Sequence, residues 1–98
     1  MLELKGVIPA LPAPFHADGE LDLEGVRTLV ELSVEDGVHA VIPYGSMAEP
    51  WAIKSDERAA LLEAAVAQAA GRVPVVAGVN GMTPDTAIEE ARQAEAAG

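Results

Sequence analysis

Three short apolar runs rich in Val and Ile begin at Val7, Val38 and Val73, about 30 to 35 residues apart, and segments of helical spacing lie between them. That alternation constrains the fold more than any other feature of the chain. Strands that are apolar on both faces call for a parallel sheet covered by helices, and consecutive parallel strands need a crossover between them. The predicted strands are Gly6–Leu11, Val38–Tyr44 and Val73–Val79. Helical repeat arrays share this period but lack the intervening Val/Ile runs.

The helices are predicted from their ends as well as their spacing. Asp22 suits an N-cap, and Leu23, Val26, Val30 and Val34 form one apolar stripe that Gly37 closes. Ser55 is the next predicted N-cap, followed by the stripe Ala59, Leu62, Ala65, Val66 and Ala69, with Gly71 at its end. Thr83-Pro84-Asp85 combines a hydroxyl cap, proline at the first helical position and an acid in the first turn. Ala87, Ile88, Ala91 and Ala94 give the third stripe, and Gly98 follows as a C′ glycine.

The predicted order is therefore βαβαβα. Three parallel strands alone leave two unpaired edges and one uncovered face. A doubly wound sheet needs about five strands, and a closed barrel needs eight units in about 250 residues. At 98 residues, the chain is expected to be a piece of a larger α/β domain.

Composition removes several function classes. The chain carries 16 acidic against 6 basic residues, a formal charge of −10, which opposes binding to a phosphate backbone. No cysteine is present, which excludes disulfides and thiolate metal sites, and two separated histidines, His16 and His39, do not suggest a metal cluster. No apolar stretch reaches the roughly 18 residues of a membrane span. The expectation is a soluble, cytoplasmic chain with a small-molecule partner and neither nucleic acid nor membrane.

In parallel α/β folds, chemistry sits at the carboxyl ends of the strands, so three loops are candidates: Pro12–Leu21, Gly45–Lys54 and Gly78–Thr83. The middle loop, Tyr44-Gly45-Ser46-Met47-Ala48-Glu49-Pro50-Trp51, is the richest. A glycine at a strand exit lets successive N–H groups converge on a carboxylate or phosphate oxygen, and Ser46 adds a hydroxyl that can relay a proton. Plain turn chemistry remains the alternative reading of the same residues. Glu49 reads as a general base or as a carboxylate that bonds loop N–H groups and holds the turn, the second being favoured. Trp51 reads as an apolar plug over a barrel or between subunits. Tyr44 is a proton donor or packing, His16 a surface residue, His39 a core or barrel-bottom residue, and Asn80 a substrate contact or part of an Asn-Gly turn. Neither Lys5 nor Lys54 lies where an activated amine is expected.

At this loop the sequence resembles the amino-terminal part of the dihydrodipicolinate synthase / N-acetylneuraminate lyase family. Gly6-Val7-Ile8-Pro9-Ala10 with Pro14-Phe15 resembles its first strand and Thr-Pro-Phe turn, with Ala13 at the threonine position. Asp18-Gly19-Glu20-Leu21-Asp22 is similar to its approach to the first helix. Gly45-Ser46-Met47-Ala48-Glu49 aligns with Gly-Thr/Ser-Thr-Gly-Glu, and Ser55-Asp56-Glu57-Arg58 resembles Thr/Ser-x-x-Glu-Arg. Gly71 to Val79 resembles its third strand.

The resemblance covers all 98 residues and implies three of the eight units of a (β/α)₈ TIM barrel, residues 1–98 being the amino-terminal portion of one domain. It implies a lyase, aldolase or dehydratase that forms a lysine Schiff base with pyruvate or a 2-keto-3-deoxy sugar acid, using no cofactor and no metal. The family's lysine lies on the sixth strand and its tyrosine in a Tyr-Asn-x-Pro segment, so Lys54 and Tyr44 are neither. Gly45, Ser46 and the Met47 N–H are implied to bind the substrate carboxylate, with Ser46 in the proton relay and Ala48 and Glu49 shaping the loop. Met47 replaces a threonine hydroxyl, and Ala48 replaces a glycine, which would be strained if that position needs positive φ. A homodimer or tetramer is implied for the full-length protein, and little activity for 98 residues alone. The alternatives are a non-catalytic 2-oxo-acid-binding relative, a phosphate-binding barrel enzyme, and a self-contained small binding domain.

Overall fold

The central strand of the sheet is β1, Val41–Tyr44, and it is hydrogen-bonded along both edges. On one side it pairs in parallel with β2, Val75–Ala77. On the other side lies the extended segment 7–11. The computed structural model describes residues 2–98.

Segment 7–11 is where the first predicted strand falls short. The His39 and Ile42 N–H groups donate to Val7 and Pro9 carbonyls, and Leu11 N–H donates to the Ile42 carbonyl. Only Ala10 opposite Ile42 forms a bridge, because Pro9 supplies a carbonyl but no N–H and Pro12 ends the run. The other two strands also begin later than predicted, at Val41 and Val75 rather than Val38 and Val73. The βαβαβα order stands, with its first strand reduced to one bridge.

Of the two readings of His39, burial in the core fails and a place at the sheet's amino end, the barrel-bottom side, holds. His39 is exposed before β1, and its Nδ1 accepts the Val7 N–H at 3.0 Å while its own N–H donates to Val7. Gly6, at φ +69°, passes so close beneath the ring that a Cβ would lie 2.2 Å from Nδ1. This clasp fixes the start of the first extended segment.

Helix α1 spans Leu23–Glu35, with Asp22 Oδ1 accepting the Gly25 N–H at 2.9 Å as the sequence predicts. Helix α2 spans Ser55–Ala69, and its N-cap is Lys54 rather than Ser55. The Glu57 carboxylate reaches back to the Lys54 N–H at 3.0 Å, which leaves the Ser55 hydroxyl to bond sideways to α3. At its other end both Ala70 and Gly71 take positive φ. Helix α3 spans Pro84–Ala97 and opens on a reciprocal pair, Thr86 N–H to Thr83 Oγ1 and Thr83 N–H to Thr86 Oγ1.

The helices turn Val26 and Val30 of α1, and Leu61, Leu62, Ala65 and Ala69 of α2, onto Val41 and Tyr44 of the sheet. This buried layer is the core. The α3 stripe differs from its prediction: Ile88 and Ala91 are exposed, and the inward positions are Ala87, Glu90, Ala94 and Ala97. An alanine-rich helix has too little side-chain contrast for spacing to set its rotation, and a buried ion pair sets it instead. Among the described residues, no helix is long and apolar enough to cross a membrane.

Arg72 ties α1 to the end of α2 through two hydrogen bonds to Glu31, at 3.0 and 2.6 Å. These bonds, with a further one from Gln68, hold the Glu31 carboxyl down at about 2 from its ordinary 4.5. A carboxyl depressed in the folded state adds stability above its unfolded value and loses it as pH falls through the folded one. The Tm gap between the wild type and Glu31→Gln should therefore be present at pH 6 and close between pH 4.5 and 2. A gap independent of pH contradicts the pairing. At the opposite end of the sheet, a Cβ on Gly78 would lie 2.7 Å from the Tyr44 carbonyl oxygen and 3.0 Å from Gly45 Cα. Gly78→Ala should cost about 1–3 kcal/mol in urea unfolding, and an unchanged midpoint contradicts the close approach.

Candidate functional site

The carboxyl ends of the strands bring two of the three candidate loops into direct contact. Gly78, just after β2, donates its N–H to the carbonyl of Tyr44, the last residue of β1, at 2.5 Å. The third loop closes on itself. Phe15 bridges Leu21, His16 N–H donates to the Glu20 carbonyl, and the exposed His16 ring lies 3.6 Å from Asp22 Oδ1.

Gly45 leaves β1 buried and in extended conformation, at φ −146° and ψ −163°. Residues Ser46–Ala48 then make one tight helical turn, and Pro50–Ala52 a second. Within the first turn, the Ala48 N–H donates to Gly45 and the Glu49 N–H to Ser46. The Ser46 and Met47 N–H groups precede these bonds and find no carbonyl among the described residues. Both residues are exposed, Met47 to 61 %, and the Ser46 hydroxyl also makes no hydrogen bond among the described residues. The turn therefore presents two N–H donors and one hydroxyl together, a set suited to a carboxylate oxygen.

The condition for strain at Ala48, a positive φ, is not met. Ala48 is buried with ordinary φ, and the left-handed residue is Glu49, at φ 55° and ψ 63°. Glu49 shapes the loop through its backbone, because its carbonyl accepts the Ala52 N–H and its N–H is used by Ser46. Its exposed carboxylate makes no hydrogen bond to the loop among the described residues, so the carboxylate tether read from the sequence is not how the turn is held. Trp51 is 78 % exposed and lines an open groove of about 320 Å³ with Pro50, Asn80, Met82, Thr86 and Glu90.

Sequence reasoning missed a buried polar cluster behind this loop pair. Arg58 of α2 and Glu90 of α3 form an ion pair at 3.2 Å with both side chains nine-tenths buried. Glu90 Oε2 accepts the N–H groups of Asn80 and Gly81, at 2.5 and 3.1 Å. Arg58 Nε donates to Gln93 Oε1 at 2.6 Å, and the guanidinium stands 5.9 Å over the Tyr44 ring. Burial pushes the Tyr44 phenol up, the Glu90 charge adds to this, and Arg58 opposes it. Tyr44 thus lies in the layer between sheet and helices, as packing. Its hydroxyl and the Asn80 Nδ2 are buried without a partner among the described residues. The signal for the cluster was present: Glu90 falls three residues after Ala87 and four before Ala94, an acid on an inward stripe.

Comparison with known proteins bears on the family and the fold. Residues 3–98 match the model of the dihydrodipicolinate synthetase family. The 4-hydroxy-tetrahydrodipicolinate synthase of Xanthomonas axonopodis is 43% identical over 97 residues, which is 99% of this chain and 32% of that protein. The Aquifex aeolicus dihydrodipicolinate synthase structure superposes with a TM-score of 0.91 at 34% identity, over 97% of this chain and 32% of that one. The N-acetylneuraminate lyase of Mycoplasma synoviae superposes with a TM-score of 0.84 at 26% identity, over 92% of this chain and 32% of that one. The chain spans about a third of the length of the curated relatives it matches. With its family model matched over residues 3–98, the chain belongs to the dihydrodipicolinate synthetase family.

Proposed function

We propose that these 98 residues are the amino-terminal three units of one (β/α)₈ barrel domain, and that the complete protein is a Schiff-base-forming lyase, aldolase or dehydratase acting on a 2-oxo acid. The observation that carries the reading is the Ser46–Ala48 turn at the end of the central strand, whose Ser46 and Met47 N–H groups have no carbonyl partner among the described residues. A family member from Escherichia coli K12, 33% identical with a TM-score of 0.88 over 95% of this chain and 31% of that one, was solved in complex with pyruvate.

In this reading a lysine amine outside these residues attacks the 2-oxo carbon and water leaves. The protonated imine then draws electrons from the breaking or forming bond. The share of this segment is to bind. Ser46 and Met47 N–H groups hold the substrate carboxylate and so fix the 2-oxo carbon in front of the amine. The Ser46 hydroxyl takes part in proton transfer. Met47 brings a thioether where the family pattern has a hydroxyl, which makes that wall of the site apolar and favours a 2-keto-3-deoxy sugar acid over the dihydrodipicolinate synthase substrates. No cofactor or metal is required. In this reading the complete protein works in the cytoplasm as a homodimer or tetramer, with little activity in the 98 residues alone.

Incubation of the complete protein with pyruvate and borohydride should leave one reduced pyruvate adduct on a single lysine in intact-mass spectra. Absence of an adduct contradicts the catalytic reading and favours a non-catalytic 2-oxo-acid-binding relative. Ser46→Ala should lower kcat by about 10²-fold, the scale of a lost proton-transfer group. Unchanged kinetics remove Ser46 from the relay.

A further inference from the structure

We infer that the buried Arg58–Glu90 pair is a positioning device for the 2-oxo-acid site: it fixes the two strand-end loops against each other and so holds the Ser46–Met47 turn in its binding geometry. The inference rests on the reading above that this turn holds the substrate carboxylate.

The first observation is that both charges of the pair are withdrawn from water. Both side chains are nine-tenths buried, and the cost of removing two charges from water offsets their attraction, so apolar residues of similar volume would stabilise the fold as well or better. The second is where each partner reaches. Arg58 stands over the ring of Tyr44, the residue that leads into Gly45 and Ser46. Glu90 holds the N–H groups of Asn80 and Gly81 in the neighbouring loop. One ion pair thus touches both loops, from two different helices.

The third observation closes the frame. The two loops are joined directly by the Gly78 N–H to the Tyr44 carbonyl, and only glycine fits at that approach. The ion pair and this bond fix the loops at separate points, and points of attachment on different elements resist rotation as well as separation. Arg58 is itself held, by Gln93 at 2.6 Å and Ser55 at 3.4 Å, so its guanidinium plane is set by α2 and α3 together. Loss of the Glu90 charge leaves Arg58 free to leave the Tyr44 ring, and loss of its side-chain oxygens also releases the Asn80–Gly81 turn. Both changes act on the turn that carries the site, and neither touches the substrate. The effect belongs to binding, equally in the ground and transition states.

The test uses the complete protein, titrated with pyruvate in the presence of borohydride, with trapped mass as readout. The half-saturating pyruvate concentration reports binding, and the plateau reports the amount of competent protein. Glu90→Gln should raise the half-saturating concentration about tenfold, the scale of one lost hydrogen bond. The double variant Arg58→Met with Glu90→Met replaces the charges by apolar volume and keeps the fold. It should show the same rise with the plateau retained. An unchanged half-saturating concentration in the double variant overturns the inference, and so does a plateau that falls alone, which marks a purely structural pair. A wild type that traps no pyruvate is a separate outcome: it overturns the carboxylate reading and the inference with it.

Discussion

The structure depends on the central strand being bonded on both edges. A buried backbone must pair its N–H and C=O groups, and Val41–Tyr44 does so with segment 7–11 on one side and Val75–Ala77 on the other. Parallel pairing forces each connection to cross from the carboxyl end of one strand to the amino end of the next. Every loop that leaves a strand therefore emerges at the same end. The two helices that make the crossings, α1 and α2, bury Val30, Val41, Leu61 and Ala65 in one layer. Because the pairing is parallel, Gly45 and Gly78 become neighbours although they are far apart in the chain.

The site is a local consequence of that placement. A buried glycine in extended conformation delivers the chain into a single helical turn, and such a turn cannot satisfy its own first N–H groups. Left-handed Glu49 ends the turn and starts the next, so the two donors stay at its exposed start. Behind it, charge sits where a core would ordinarily be apolar. Arg58 and Glu90 occupy the seam between α2 and α3, and their hydrogen bonds reach the backbone of one loop and the ring that anchors the other.

Much of this was legible because it is local chemistry. Asp22 and Thr83 cap helices as their side chains predict, and the Val/Ile runs place the strands in order. What was not legible depends on partners far along the chain. Proline at position 9 shortened the first strand to a bridge. His39 lies in an apolar run yet stays exposed, because its ring bonds the Val7 N–H at the sheet's amino end. Spacing leaves the rotation of α3 open because alanine at positions 87, 91 and 94 gives no preference between faces, whereas Glu90 meets Arg58. Within the loop, Gly45 and Ser46 stood out by composition, but which residue carries the left-handed conformation depended on the two consecutive turns.

The central claim is that the turn after the central strand holds the substrate carboxylate. A crystal structure of the complete protein, reduced with borohydride in the presence of pyruvate, tests it most directly. The account predicts one carboxylate oxygen of the adduct within hydrogen-bond distance, about 2.9 Å, of the Ser46 and Met47 nitrogens. An adduct whose carboxylate is held by other residues, with those two N–H groups facing only solvent, would contradict it.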